Sequence, residues 1–319
     1  MKLYTILSSR ADKQIAKAEA EEQNRATDVD FHTLEGRVDN LYFGILLLDE
    51  RVRQTNLKIE LLRSNLEKVR SLQRNGIAMQ TDADMVEAEL LTAGQQLTQI
   101  EASRKSCRRM LEIFIGKELG EQSLILPDAE MPESFDNARP ELALFDAKIE
   151  KLTAQEKLVK ASARPRFGIF AQGYYGYPGM DFFKSMMNSD WSWNAVISVK
   201  MSWNFGAYYT RKGSLNKLRT AKQQANVGRD VFLFNTQLQT TAEIGDISRL
   251  RKALADDDRI VALRRSVREA AESKLRNGVI DTNDLLRKIT KETTAATARS
   301  AREIELVKTI YELKHTINK

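Results

Sequence analysis

The sequence predicts a mainly helical protein built from long antiparallel coiled-coil hairpins, with one β-hairpin of membrane-crossing dimensions in its middle. Three observations carry this: where proline falls, a heptad pattern that occurs twice, and an aromatic segment with a period of two. All five prolines (Pro127, Pro132, Pro140, Pro165 and Pro178) lie in one central stretch. Residues 1–126 and 179–319 therefore contain nothing that must break a helix. With 15 Gly in 319 residues, turn punctuation is also sparse for a globular chain.

In the first flank Ile45, Leu48, Val52, Ile59, Leu62, Leu66 and Val69 follow alternating steps of three and four, with Thr55 in the one open seam position. This is a heptad stripe. After Gly76 the spacing resumes through Val86, Leu90, Ala93, Leu97, Ile100, Cys107, Leu111 and Phe114, interrupted by Arg104. Two helices joined at a tip form an antiparallel hairpin. A first helix over residues 5–73 would be roughly 100 Å long at 1.5 Å per residue, more than a compact domain needs.

The second flank repeats the plan. A proline-free segment over residues 207–275 reaches a tip at Gly278, and the return helix carries Leu285, Ile289, Ala296, Ile310 and Ile317. The tips also match in sequence: Arg74-Asn75-Gly76-Ile77 corresponds to Arg276-Asn277-Gly278-Val279, and Asp82 corresponds to Asp284, at a constant offset of 202 residues. The chain reads as a tandem duplication. Its expected organisation is a first hairpin over 1–126 with its tip at 74–77, a proline-containing connector and helix over 127–164, a β-hairpin over 165–206, and a second helical hairpin over 207–319 with its tip at 276–279.

Residues 167–209 hold all three Trp, five of the eight Tyr and five of the twelve Phe. Phe167, Ile169, Tyr175 and Tyr177 alternate with other residues in one run, and Trp191, Trp193, Ile197, Val199, Met201, Trp203 and Phe205 alternate with Ser, Asn and Lys in the next. Period two is the signature of a strand. Each run is about 10 residues, the length that crosses a bilayer at a tilt, with aromatics near the ends and a polar opposite face. Residues 178–190 would be the loop between them. Helices of this length offer no globular core for such a face, and a two-stranded sheet is marginal alone, so the hairpin is expected to close its edges against copies from other chains or against a missing part of this one.

Other classes are excluded by composition. With 29% charged residues and a mean hydropathy of −0.44, the chain has no run of about 20 apolar residues for a membrane helix. One cysteine, Cys107, cannot form an internal disulfide, and His32 and His315 alone cannot build the usual Cys/His zinc cage. No metal site or cofactor is expected. The net charge of +6 is spread along the chain, and no nucleic-acid partner is expected. No nucleophile motif, phosphate loop or paired-carboxylate signature occurs, so no enzyme activity is expected. Asp256-Asp257-Asp258 diverge around a helix axis and read as a solvated face.

The order of these features resembles the TolC-like outer membrane efflux protein family. The resemblance includes Arg164-Pro165 before the strand pair, the stretch from Arg139 to Asp146, Leu41-Tyr42-Phe43-Gly44-Ile45-Leu46-Leu47-Leu48, and Trp203-Asn204-Phe205 closing the second strand. It implies a homotrimer with a β-barrel in the outer membrane, its strands facing lipid, continuous with a periplasmic α-helical tunnel. It also implies two partners, a periplasmic adaptor (membrane fusion) protein at the tunnel tips and an inner-membrane pump such as an RND transporter. The function would be passive conduction in tripartite efflux or type I secretion.

By the same resemblance, Arg74, Asn75, Gly76, Ile77, Arg276, Asn277, Gly278 and Val279 would dock the adaptor. Asp284 would supply an acidic ring at the constriction, attracting cations. For Asp82 the helix dipole is the preferred explanation. Where the family can carry a second acid, this chain has Met85 and Arg287. Subtracting the offset places a first-copy β-hairpin before residue 1, so roughly 60 residues, one helix and a strand pair, are expected to be absent. Met1-Lys2-Leu3-Tyr4 shows no secretory signal. Two alternatives stay open: an adaptor protein of the same pumps, with one helical hairpin between lipoyl-like halves, and a soluble or periplasmic coiled-coil scaffold without channel activity.

Overall fold

The computed structural model describes residues 6–120, 123–177, 179, 187 and 191–319. The expectations for Met1–Tyr4, and for the loop at 178, 180–186 and 188–190, lie outside these residues. Among the described residues, five helices and two strands follow in the order α1 (Ile6–Arg74), α2 (Gln80–Ile115), α3 (Pro140–Ser162), β1 (Arg166–Gly176), β2 (Ser192–Ser202), α4 (Phe205–Arg276) and α5 (Thr282–Ile317). The mainly helical fold with one β-hairpin is the predicted class. No helix among the described residues is long and apolar enough to cross a membrane.

Local sequence explains the boundaries. α1 and α4 run uninterrupted for 69 and 72 residues because neither contains proline. α3 opens with Pro140 at its first position, where the missing N–H costs nothing. It closes at Ser162, before Pro165 restricts the backbone. α4 starts at Phe205 because Asn204 caps it: Asn204 Oδ1 accepts the N–H of Ala207 at 3.1 Å. Phe205, expected on the strand face, therefore belongs to the helix.

The chain divides into two units. One combines the part of α1 up to Asp30 with residues Arg139–Phe234. Here Ala18, Ala147, Ala154 and Ala163 are buried, and small side chains let helices approach closely. Ion pairs flank this seam, Lys151 with Glu22 and Lys222 with Glu156 at 3.3 Å.

The same unit contains the hairpin. β1 and β2 pair antiparallel with Phe167 opposite Met201, Ile169 opposite Val199, Ala171 opposite Ile197 and Tyr175 opposite Trp193. Odd residues face odd residues, so the two alternating runs share one apolar face. Trp203 lies just past β2, and its Nε1 donates to the Ala163 carbonyl at 3.1 Å, which ties the strand end to the end of α3.

The other unit combines Phe31–Ala138 with Asn235–Lys319. Its largest core joins Ile59, Leu62, Leu66 and Val69 of α1, Ala83, Val86 and Ala93 of α2, Ala271 of α4, and Leu285 and Ile289 of α5. These include the heptad positions read from both flanks. A second cluster sets Phe43 and Leu46 against Ile304, with Leu124 and Leu126 of the connector packed on it. A third joins Ile247, Ile310 and Leu313. Hydrogen bonds hold the connector: Tyr42 donates its hydroxyl to the Ile125 carbonyl at 2.7 Å, and the Ala138 N–H donates to the Ile317 carbonyl at 3.0 Å.

Candidate functional site

Two features stand out from the packed helices: a pair of turns at one end of the α1, α2, α4 and α5 core, and the exposed hairpin face.

The turns are built alike. Gly76 has φ +74° and Gly278 φ +68°, left-handed values that a Cβ makes costly. At the first, the N–H of Gly76 donates to the Gln73 carbonyl at 2.9 Å and that of Ile77 to the Leu72 carbonyl at 2.9 Å. At the second, Gly278 donates to Leu275 at 3.0 Å and Val279 to Lys274 at 2.9 Å. These bonds satisfy the last helical carbonyls. Such a turn commonly packs its outer apolar residue onto the preceding helix. Here Ile77 remains 58% and Val279 68% exposed, with Met79 at 73%. Their neighbours Ala78 and Ile280 pack instead on the core that α1, α2, α4 and α5 share. Arg74, Asn75, Arg276 and Asn277 are also exposed. The residues singled out in both sequence repeats thus crown one core as an apolar and basic surface.

The acidic pair differs between the copies. Asp82 Oδ2 accepts the backbone N–H of Met79 at 2.9 Å. In the second copy Asp281 does the capping, its Oδ1 accepting the Asp284 N–H at 2.7 Å. The Asp284 carboxylate is exposed and accepts no hydrogen bond among the described residues. The duplicated aspartates therefore have different jobs.

Below the turns an ion network crosses the helices. Lys68 Nζ lies 2.9 Å from Glu272, Arg268 reaches Glu272 and Glu292 at 2.6 Å each, and Arg265 reaches Glu292 at 3.4 Å. Burial disfavours charge on Glu272, but hydrogen bonds from Lys68 and Arg268 outweigh it and hold the carboxyl below the usual range. Arg268 is raised because its bonds to Glu292 and Glu272 likewise exceed the cost of burial. Arg70 pairs with Glu87 at 2.7 Å across the first hairpin.

On the β-hairpin Phe167, Ile169, Tyr175, Trp193, Ile197, Val199 and Met201 are all exposed, Trp193 at 82%. Tyr177, Trp191 and Trp203 lie just outside the strands and are also exposed. Tyr175 packs its ring against Trp191 and Trp193, with centroids 5.8 and 5.5 Å apart. A contiguous aromatic and aliphatic face of this kind is not left bare in water.

One constellation escaped the sequence reading. His32 of α1 and His315 of α5 stack face to face, ring centroids 3.8 Å apart and 12° from parallel. Nothing local links positions from opposite ends of the chain. A cavity of about 340 Å³ adjoins His315, lined also by Asp39, Phe43, Glu243, Lys308 and Tyr311. Burial raises the Asp39 carboxyl, with His315 opposing and Glu35 reinforcing that shift.

No protein-family model and no curated protein matches the chain. Solved structures do. The outer membrane protein VceC from Vibrio cholerae superposes with a TM-score of 0.83 at 13% identity, over 97% of this chain and 75% of that one. The Campylobacter jejuni CmeC outer membrane channel gives 0.78 at 13% identity, over 97% and 67%. The outer-membrane channel OprN gives 0.77 at 16% identity, over 97% and 71%. The chain therefore has the fold of the TolC-like outer-membrane efflux channels.

Proposed function

We propose that this chain is a subunit of an outer-membrane exit duct, a homotrimeric passive channel for efflux or type I secretion. An inner-membrane pump, such as an RND transporter, supplies the energy through a periplasmic adaptor protein. The observation that carries this reading is the exposed face running through Ile169, Trp193, Ile197 and Val199, on a fold otherwise matched by outer-membrane channels. In a barrel closed between protomers, that face meets lipid and both strand edges find partners. A soluble scaffold gives such a face no role.

Within this reading the two turns dock the adaptor. Ile77 and Val279 supply apolar contact, and Arg74 and Arg276 attract acidic groups. Asp284 contributes one carboxylate per protomer to the narrow end of the pore, where a ring of like charge favours cations. Asp82 keeps its capping role. Conduction needs no catalytic group, and the chain acts without enzyme chemistry or cofactor.

Separation of inner and outer membranes on a density gradient, after expression from the natural gene, tests the assignment. The protein should travel with the outer membrane and require detergent for extraction. Recovery in the soluble fraction would leave the scaffold reading.

A further inference from the structure

We propose that His32, Glu35 and His315 form a binding site for a divalent transition-metal cation, with zinc the best fit to their chemistry. One ligand atom from each lies within 4.8 Å of the other two. His32 and Glu35 stand one helical turn apart on α1, with Glu35 Oε2 3.9 Å from His32 Nδ1, and α5 brings His315 to the same face. Two imidazoles and one carboxylate form a donor set that zinc takes with a fourth, exchangeable water, whereas magnesium and calcium prefer all-oxygen shells. The burial is graded in the way such a site needs. His32 is 4% exposed, while the Glu35 side chain is 72% exposed, so an ion enters from solvent on the carboxylate side.

The backbone is adapted to this contact. A Cβ at Gly36 would lie 2.7 Å from His315 Nε2, so alanine there would push the ring away. Glycine inside an α-helix is otherwise unfavourable, and here it lets the imidazole settle against α1. Asp39, two turns beyond His32, lines the cavity next to His315 and can orient a ligand ring or the bound water. Nearly parallel rings cannot aim their in-plane lone pairs at one point. Metal uptake must therefore turn one imidazole out of the stack. The site is independent of the channel assignment: it uses neither the turns nor the strands.

The test is calorimetric titration of the chelator-treated full chain with zinc sulfate, beside magnesium chloride. One zinc per chain should bind at micromolar concentration and magnesium should not. His315→Ala and Glu35→Gln should each weaken zinc binding by about tenfold or more. Gly36→Ala, which keeps all three ligand residues but displaces the His315 ring, should weaken it as well. Because the chain has just two histidines, pulsed EPR of the wild-type chain with one equivalent of Cu²⁺ gives a readout that no folding defect can mimic. Two coordinated imidazoles are expected. Zinc affinity unchanged in all three variants, or a Cu²⁺ spectrum showing one imidazole or none, would overturn the site.

Discussion

Asp281 Oδ1 accepts the backbone N–H of Asp284 at 2.7 Å, and the first turn reverses this arrangement, with Asp82 Oδ2 accepting the N–H of Met79 at 2.9 Å. Methionine brings only a weak thioether acceptor to the capping position, and in the first copy the later aspartate reaches back to the helix start. In the second copy an aspartate occupies the capping position itself, and Asp284 is left with its carboxylate in solvent. One inherited position thus caps a helix in one repeat and leaves its carboxylate in solvent in the other.

Asp82→Ala and Asp281→Ala should each lower stability by about 1 kcal/mol, the usual cost of losing a helix cap. Asp284→Asn should change it by a few tenths, because only the helix-dipole interaction is lost. In the proposed pore the ranking inverts: Asp284→Asn should reduce cation preference in reversal-potential measurements, and Asp82→Asn should leave it unchanged. Thermal melts and reversal potentials on the same purified variants check both halves.

At the turns, Gly76→Ala and Gly278→Ala place a Cβ in open space but at φ +74° and +68°. Nothing collides, so the cost is conformational alone, about 1–2 kcal/mol at each site. Asparagine, which tolerates this region better, should recover part of it. Denaturant midpoints for the alanine and asparagine variants measure the difference.

Ile77→Asp and Val279→Asp separate docking from folding. Both side chains are mostly exposed, so each substitution should shift stability by less than about 0.5 kcal/mol. The double variant should nonetheless lose adaptor binding in pull-downs, by tenfold or more. Intact binding would reduce the turns to a purely structural role.

Glu272 ties pH to the stability of the helix ends. Its folded carboxyl is held below the ordinary carboxylate range by Lys68 and Arg268, against the opposing effect of burial. A depressed carboxylate stabilises the fold above its unfolded pKa, about 4.3, and that contribution disappears as pH falls through the lower folded value. Unfolding free energy should therefore drop below about pH 4.5, and Glu272→Gln should flatten that drop while costing about 1–2 kcal/mol at neutral pH. Urea titrations between pH 3 and 7 test the sign.

Much of this architecture was legible because it is periodic. Ile59, Leu62, Leu66 and Val69 recur at heptad spacing and are buried together, and Gly76 and Gly278 share both a sequence context and a left-handed backbone. The strand face was readable because odd residues pair with odd residues. Phe205 was misplaced because Asn204 fits two patterns: it continues the polar alternation of β2, yet its side chain caps α4. Phe114 sits on the heptad stripe but is 44% exposed, since a repeat marks a helix face and not the length over which a neighbour covers it. The His32–His315 stack and the Lys68–Glu272 pair left no sequence signal, because their distances are set by helix packing between distant segments.

Conductance measurement on the protein purified from the outer membrane, reconstituted in planar lipid bilayers, tests the central claim most directly. A channel subunit should give discrete, stable current steps, with cation preference reduced by Asp284→Asn. A bilayer left silent by detergent-stable protein carrying an intact β-hairpin would contradict the exit-duct reading.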